Sequence, residues 1–477
     1  MRSIAVLIIL YFPFVSVAQD RWSLDSCVRY ALNHNISVKQ SELNISLAEI
    51  DQMVAYGGLL PNLNAQGGHG YNWGQRIDPF TNQFATERIQ SNNFGIATSV
   101  NLFSGFSQWN TIKRAAVNKE ISKLNLEQMR NDIALNVASA FLNVVVNREV
   151  LAIAETNLAN TDRQVDRLSK LVNAGQLAEG NLNDMLATRA SDEASRVAAE
   201  NNLNLAILSL IQLLQLSDEE RAQFDIEVPV IDNIESMKAM ENVNVIRDMA
   251  LRNFPEIKSA EAGIVAADLN YKIAKAGAMP QLNASYSYGS GYSGAARVLS
   301  GSPDTLSFPI GQVFGSNQVV FSLPQPVFAA DDYSIKPFES QLRDNVNQSL
   351  FFTLTVPLFN GFTSRGNIQR AKINSLNAQY QLDQAKLTLT QNVERAFADA
   401  RAALANYNAA RTSLSASEQA MQWAEKRFEQ GVSNVVEYND SRARLDNARA
   451  TLLRSKYDYL FRLKILDFYM GQPINIR

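Results

Sequence analysis

Cysteine and histidine are nearly absent: the 477 residues hold one cysteine, Cys27, and two histidines, His34 and His69. A disulfide within the chain is therefore excluded, and Cys/His zinc sites or a Cys–His nucleophile pair have almost no raw material. Charge of one sign is also lacking. Net charge is −3, with 44 Lys and Arg against 47 Asp and Glu and no basic block, which argues against nucleic acid as a main partner. Enzymatic chemistry would have to rest on carboxylates or on Ser and Lys, and no acid pair recurs outside the helical turns. No catalytic, cofactor or metal site is expected.

Long apolar runs are missing beyond the first residues. The richest stretch, Ile133 to Ala154, is broken by Asn136, Asn143, Asn147, Arg148 and Glu149. A membrane location must then be built from β-strands. The N-terminal run is an address: Arg2 precedes apolar residues from Ile4 to Val17, and Ser16-Val17-Ala18 offers small residues for cleavage before Gln19. Residues 1–18 read as a secretory signal peptide, short of the ~20 residues that span a bilayer. Position 19 is not cysteine, so no lipid anchor is indicated.

What the chain has is repetition. Shifted by 219, residues 31–65 align without gaps on 250–284, matching Ala31-Leu32 with Ala250-Leu251, Lys39 with Lys258 and Pro61 with Pro280. Shifted by 256, residues 98–210 align on 354–466, matching Leu102-Phe103 with Leu358-Phe359, Gly105-Phe106 with Gly361-Phe362, and Asn183-Asp184 with Asn439-Asp440. The chain is two copies of one unit, residues 19–240 and 241–477, with an insertion in the second.

Each copy reads helix, strand, loop, strand, long helix, tight turn, helix. The opening helix is roughly Leu24–Tyr56, with its twin at Val243–Gly277. Strand pairs follow at about 60–73 with 93–103, and about 280–292 with 349–359. Their alternation puts Leu63, Ala65, Gly67, His69, Tyr71 and Trp73 on one face, and Asn62, Asn64, Gln66 and Asn72 on the other. The return strands expect Phe94, Ile96, Val100 and Leu102, or Leu350, Phe352, Leu354, Val356 and Leu358, on the apolar face. Such a face suits a lipid-facing barrel strand; a half-buried soluble hairpin is the alternative. Loops 74–92 and 293–348 join the pairs, the longer one carrying Pro303, Pro309, Pro324, Pro326 and Pro337.

Between Gly105 and Leu171 neither proline nor glycine occurs. A helix of that length reaches about 100 Å, too long for a globular domain. Its second half repeats every seven residues, at Leu151, Leu158, Val165 and Val172, and its twin at Tyr407, Leu414, Met421 and Phe428. That period predicts left-handed coiled-coil packing. The long helices (about 105–172 and 361–428) end at Gly175 and Gly431, which suit left-handed caps. Return helices at about 182–215 and 438–470 are about half as long, so each expects the opening helix to stack end to end on it; residues 216–240 link the copies. Four strands per chain fall short of the eight of the smallest membrane barrels, so closure needs several chains. A dimer gives a filled barrel and a trimer an open lumen; the polar, small inward faces favour the trimer.

The two-copy order, the Leu-Phe-x-Gly-Phe corner after each second strand and the paired glycine turns resemble the TolC family of outer-membrane efflux proteins. So do Trp22-Ser23-Leu24-Asp25, Ala31-Leu32-Asn33-His34-Asn35 and Asn253-Phe254-Pro255-Glu256. The resemblance covers essentially the mature chain. It implies a homotrimer in the outer membrane of a Gram-negative bacterium, with a 12-strand β-barrel in outer-membrane lipid and a long α-helical coiled-coil tunnel in the periplasm. It implies the exit channel of a tripartite efflux or type I secretion system, docking a periplasmic adaptor (membrane fusion protein) and an inner-membrane transporter of RND or ABC type.

By the same resemblance, Glu437 and Asp440 fall where the family places its constriction acids, with Asn181 and Asp184 as their first-copy counterparts. Gly175, Gln176 and Leu177, and Gly431, Val432 and Ser433, are the adaptor-docking turns. Ser433 stands where some members have a basic residue. Gly105 and Gly361 mark the strand–helix corners. Threefold symmetry would turn each acid into a ring that attracts cations in a narrow pore. Acids in a first helical turn also stabilise the helix end without any gate. A non-pore structural or adhesive coiled-coil envelope protein is the competing reading.

Overall fold

The computed structural model describes residues 21–472, except 79, 81, 86–87, 229–240 and 328–332. The signal-peptide stretch 1–18 and the later half of the linking segment 216–240 lie outside the described residues.

The opening helix is two helices in each copy: α1 (Leu24–His34) and α2 (Ile36–Gly57), then α6 (Val243–Asn253) and α7 (Pro255–Ala276). The continuous helices read from sequence are thus each broken once. At Asn35 the backbone turns extended, and the side chain accepts the Ser37 N–H at 2.9 Å and donates to the Leu213 carbonyl at 3.3 Å. At the matching point Phe254 is extended and Pro255, which has no N–H to donate, opens α7. The long helices α3 (Ser107–Asn173) and α9 (Thr363–Glu429) have 67 residues each. The return helices α4 (Glu179–Leu214) and α10 (Val435–Tyr469) have 36 and 35, and short α5 (Asp218–Gln223) follows α4.

Two compact units cut across the sequence repeats, each drawing on both copies. The first comprises the chain up to Glu49, Ala116–Ala266 and the chain from Ser375. Two of its apolar cores are twins under the sequence offsets. Cys27, Ala31, Val38, Ile133, Val137, Val144 and Leu210 are buried in one; their counterparts Ile246, Ala250, Ile257, Leu389, Val393, Ala400 and Leu466 form the other. Cys27 thus stands where the second copy has isoleucine, and burial pushes its thiol up to about 12. It is a packing residue. By length and composition α3 and α4 each contain a window apolar enough to cross a membrane. The apolar run in α3 is accounted for by packing, since Val137, Ala138, Phe141, Val144 and Val145 are all buried in the first core. In the same unit the N-terminus of α2 meets the end of α4, where the Ile36 N–H donates to the Gln215 side chain at 3.1 Å.

The second unit, Ile50–Ala115 with Ala267–Asn374, is built on four antiparallel strands. These are β1 (Asn62–Asn72), β2 (Ile89–Ser104), β3 (Gln281–Ser293) and β4 (Asn347–Thr355), in that order across the sheet. Leu63 stands opposite Thr98, Ala65 opposite Ile96 and Gly67 opposite Phe94. Across the next pairs, Ile96 meets Tyr288, Val100 meets Ala284, Ala284 meets Phe352 and Leu282 meets Leu354. Opposed residues share a face, so the apolar side chains line one side of the sheet. Asn62, Asn64, Gln66, Ser285 and Ser287 line the other, with Phe351 as an apolar exception.

Two details differ from the sequence reading. A register shift between Asn101 and Phe103 puts Phe103, not Leu102, opposite Leu282. The return strand of the second copy stops at Thr355, opposite Gln281 where β3 begins, so Val356 and Leu358 lie beyond it. Pro357 cannot donate to a ladder there. The long loop is also structured: short ribbons pair 304–306 with 325–327, 309–312 with 319–321 and 297–299 with 333–335, before helix α8 (Phe338–Asp344).

The two corners are alike in detail. Gly105 and Phe106 have φ of 60° and 66°, and Gly361 and Phe362 have 60° and 64°. Two consecutive left-handed residues swing the chain from strand to helix in each copy. In both the phenylalanines pack edge to face, Phe103 on Phe106 at 5.3 Å and Phe359 on Phe362 at 5.5 Å.

Candidate functional site

The turns joining each long helix to its return helix lie in the helical unit. Each closes with the same cap. Gly175 has φ 71°, its N–H donates to the Val172 carbonyl and the Gln176 N–H to Leu171. Gly431 has φ 73°, with its N–H on the Phe428 carbonyl and the Val432 N–H on Arg427. These paired bonds satisfy the last carbonyls of the long helices. The next helix starts differently in the two copies. Asn434 caps α10 by accepting the Glu437 N–H at 2.9 Å, whereas Ala178 before α4 supplies no side-chain cap.

Glu437 and Arg427 close the second turn, with Arg427 Nη2 donating to Glu437 Oε2 at 3.2 Å. Both are about half exposed, so the pair adds little to stability. Asp440 accepts from Arg444 one helical turn on, at 2.7 Å. Asn181, in the first turn of α4, is half-buried, and Asp184, one turn on, is exposed. Leu177 packs with Leu168, Met185, Val435 and Tyr438, and Tyr438 stacks on Phe428 at 5.0 Å. Heptad residues Val165, Leu168, Met421 and Phe428, from both copies, therefore share one cluster. Gly175, Gln176, Gly431 and Val432 remain exposed, while Ser433 is half-buried with its Oγ unpartnered.

Close to the turns lies a charge cluster that the sequence reading missed. Arg442 on α10 is buried and donates to Thr161 Oγ1 and the Asn157 carbonyl on α3. It also lies 3.4 Å from Asp192 on α4 and 3.8 Å from Asp446 on its own helix, and Thr161 donates to Asp192. One guanidinium thereby ties three helices together. Burial pushes the Asp446 carboxyl up, while Arg442 and Arg449 pull it back. The signal was in the repeat itself. Under the shift of 256, Arg442 aligns with Leu186, Asp446 with Ala190 and Asp192 with Ala448, so charges replace apolar residues between copies.

A family model for outer membrane efflux proteins matches residues 28–215 and 246–472, which are the two repeats. Outer membrane protein TolC of Escherichia coli (strain K12) is 21% identical over 406 residues, 84% of this chain and 72% of that protein. Protein CyaE of Bordetella pertussis is 23% identical over 420 residues, 88% and 77% of the respective chains. The crystal structure of outer membrane protein VceC from Vibrio cholerae matches with a TM-score of 0.73 at 15% identity, covering 95% of this chain and 97% of that one. That last likeness speaks for the fold. Matched over both repeats, the chain belongs to the outer membrane efflux protein family and is an export channel of the outer membrane.

Proposed function

We propose that three copies of the chain close a twelve-strand barrel and form the exit duct of a tripartite efflux or type I secretion system, passing substrate handed on by a periplasmic adaptor and an inner-membrane transporter. The sheet supports this most directly. It has four strands, an apolar and aromatic face, and two edges, β1 and β4, that pair with nothing among the described residues. In a bilayer unpaired backbone groups cost several kcal/mol each, so the edges must find partners in other chains.

On this reading the exposed turns around Gly175 and Gly431 meet the adaptor. Glu437 and Asp440, with Asn181 and Asp184 beside them, form the narrow end of the pore. Glu437 and Asp440 already have arginine partners within their own chain, Arg427 and Arg444, so their rings carry less bare charge than the acids alone. Purified protein in planar bilayers should conduct ions, and Glu437→Gln with Asp440→Asn should raise conductance and lower cation preference. Absence of any conductance, in the original and the doubly neutralised protein alike, would sink the proposal.

A further inference from the structure

The loop end of the strand unit holds a cavity of about 710 Å³ that the channel function does not use. Arg88, Arg297 and Lys336 line it, together with Phe80, Phe84 and Tyr333. Among the described residues no carboxylate lines it. Lys336 is neutralised by Asp344 at 2.6 Å, whereas Arg88 and Arg297 have no acid partner among the described residues. Two guanidiniums facing one space, with no acid partner among the described residues, are a recognition set for a phosphate ester, since the planar fork matches phosphate oxygens.

The surroundings are fixed by buried hydrogen bonds. Gln341, fully buried, accepts the Ser293 N–H at 2.9 Å and donates to the carbonyls of Ser293 and Lys336. Ser293 donates to the buried Asp78 at 2.5 Å, and Asp78 in turn accepts the Phe80 N–H. Arg297 stands opposite Ile335 in a paired ribbon. The cationic groups thus project from a braced rim.

Depth in the membrane decides the source of the phosphate. Tyr71 ends the apolar face of β1 and Trp73 follows just past the strand; they are 42% and 71% exposed, as residues of an interfacial aromatic belt are. Arg88 lies over the Tyr71 ring, 4.9 Å from its centroid. The cavity's charge therefore begins at headgroup level. We infer that this cavity binds the phosphate ester of an outer-leaflet glycolipid headgroup, its sugar ring lying against Tyr333; the inference rests on reading the sheet as membrane-spanning.

The test uses the full-length protein in detergent, with three probes measured by native mass spectrometry: lipid A (a bisphosphorylated, acylated sugar dimer), the same lipid stripped of phosphate, and soluble glucosamine 1-phosphate. Phosphorylated lipid should be retained about tenfold or more better than the stripped lipid, and an Arg88→Gln/Arg297→Gln double variant should lose that preference. Equal retention of the two lipids, or an unchanged preference in the double variant, overturns the inference. Soluble sugar phosphate binding as well as the lipid overturns the lipid assignment. Bilayer conductance of the double variant, expected to equal that of the original protein, shows that it is folded and keeps this outcome separate from the channel proposal.

Discussion

Gly105 and Gly361 occupy matched corners with the same φ, yet their surroundings differ. A Cβ at Gly105 would lie 2.7 Å from Met279 Cβ and 3.0 Å from the Ala276 carbonyl oxygen, whereas one at Gly361 meets nothing within 4 Å. Gly361→Ala should therefore cost only the left-handed backbone term, about 1–2 kcal/mol. Gly105→Ala should cost more, about 3 kcal/mol, because backbone must also move. The apparent Tm of the two variants in detergent checks the order; equal losses would mean that the contact at Gly105 relaxes freely. The glycines were legible from sequence because the corner recurs. That Phe106 and Phe362 share the left-handed turn was not, since bulky residues at positive φ are rare and the ring contacts that accompany them form only in the folded corner.

Among the helices, the Arg442 cluster decides how α3, α4 and α10 are held beside the turns. Removing the guanidinium leaves Asp192 without its counter-charge and Asp446 with that of Arg449 alone, so Arg442→Met should destabilise by about 3–5 kcal/mol. Asp446→Asn should be far milder. Burial raises the Asp446 pKa in the folded protein, so its ionised form is disfavoured there. Its penalty is present at neutral pH and is relieved as pH falls through the raised value. Thermal melts of Asp446→Asn should match or exceed the original protein at pH 7 and lose part of its pH dependence on the acid side. A large loss of stability at pH 7 would instead make the Arg442–Asp446 attraction dominant. The heptads announced coiled-coil packing at Val165, Leu168, Met421 and Phe428, because periodicity is local. The charge cluster was not announced, because its members sit up to 285 residues apart on three helices.

The whole molecule is incomplete as one chain. A four-stranded sheet with an apolar face and two edges unpaired among the described residues cannot rest in a bilayer alone. Light scattering of detergent-purified protein should give three chains per particle. A monomer that stays soluble without detergent would favour the non-pore envelope rod.

By itself the sequence determined the repeat, the strand alternation, the long helices and the glycine caps, since each follows from local periodicity or backbone freedom. Tertiary structure alone decided the rest. It split the opening helices at Asn35 and Phe254, moved Phe103 into register opposite Leu282, ended the second return strand at Thr355, and gathered Arg442 with Asp192 and Arg88 with Arg297. These depend on partners distant in the chain, whose meeting is fixed by packing and hydrogen bonding, and no window of sequence contains both sides of such a contact.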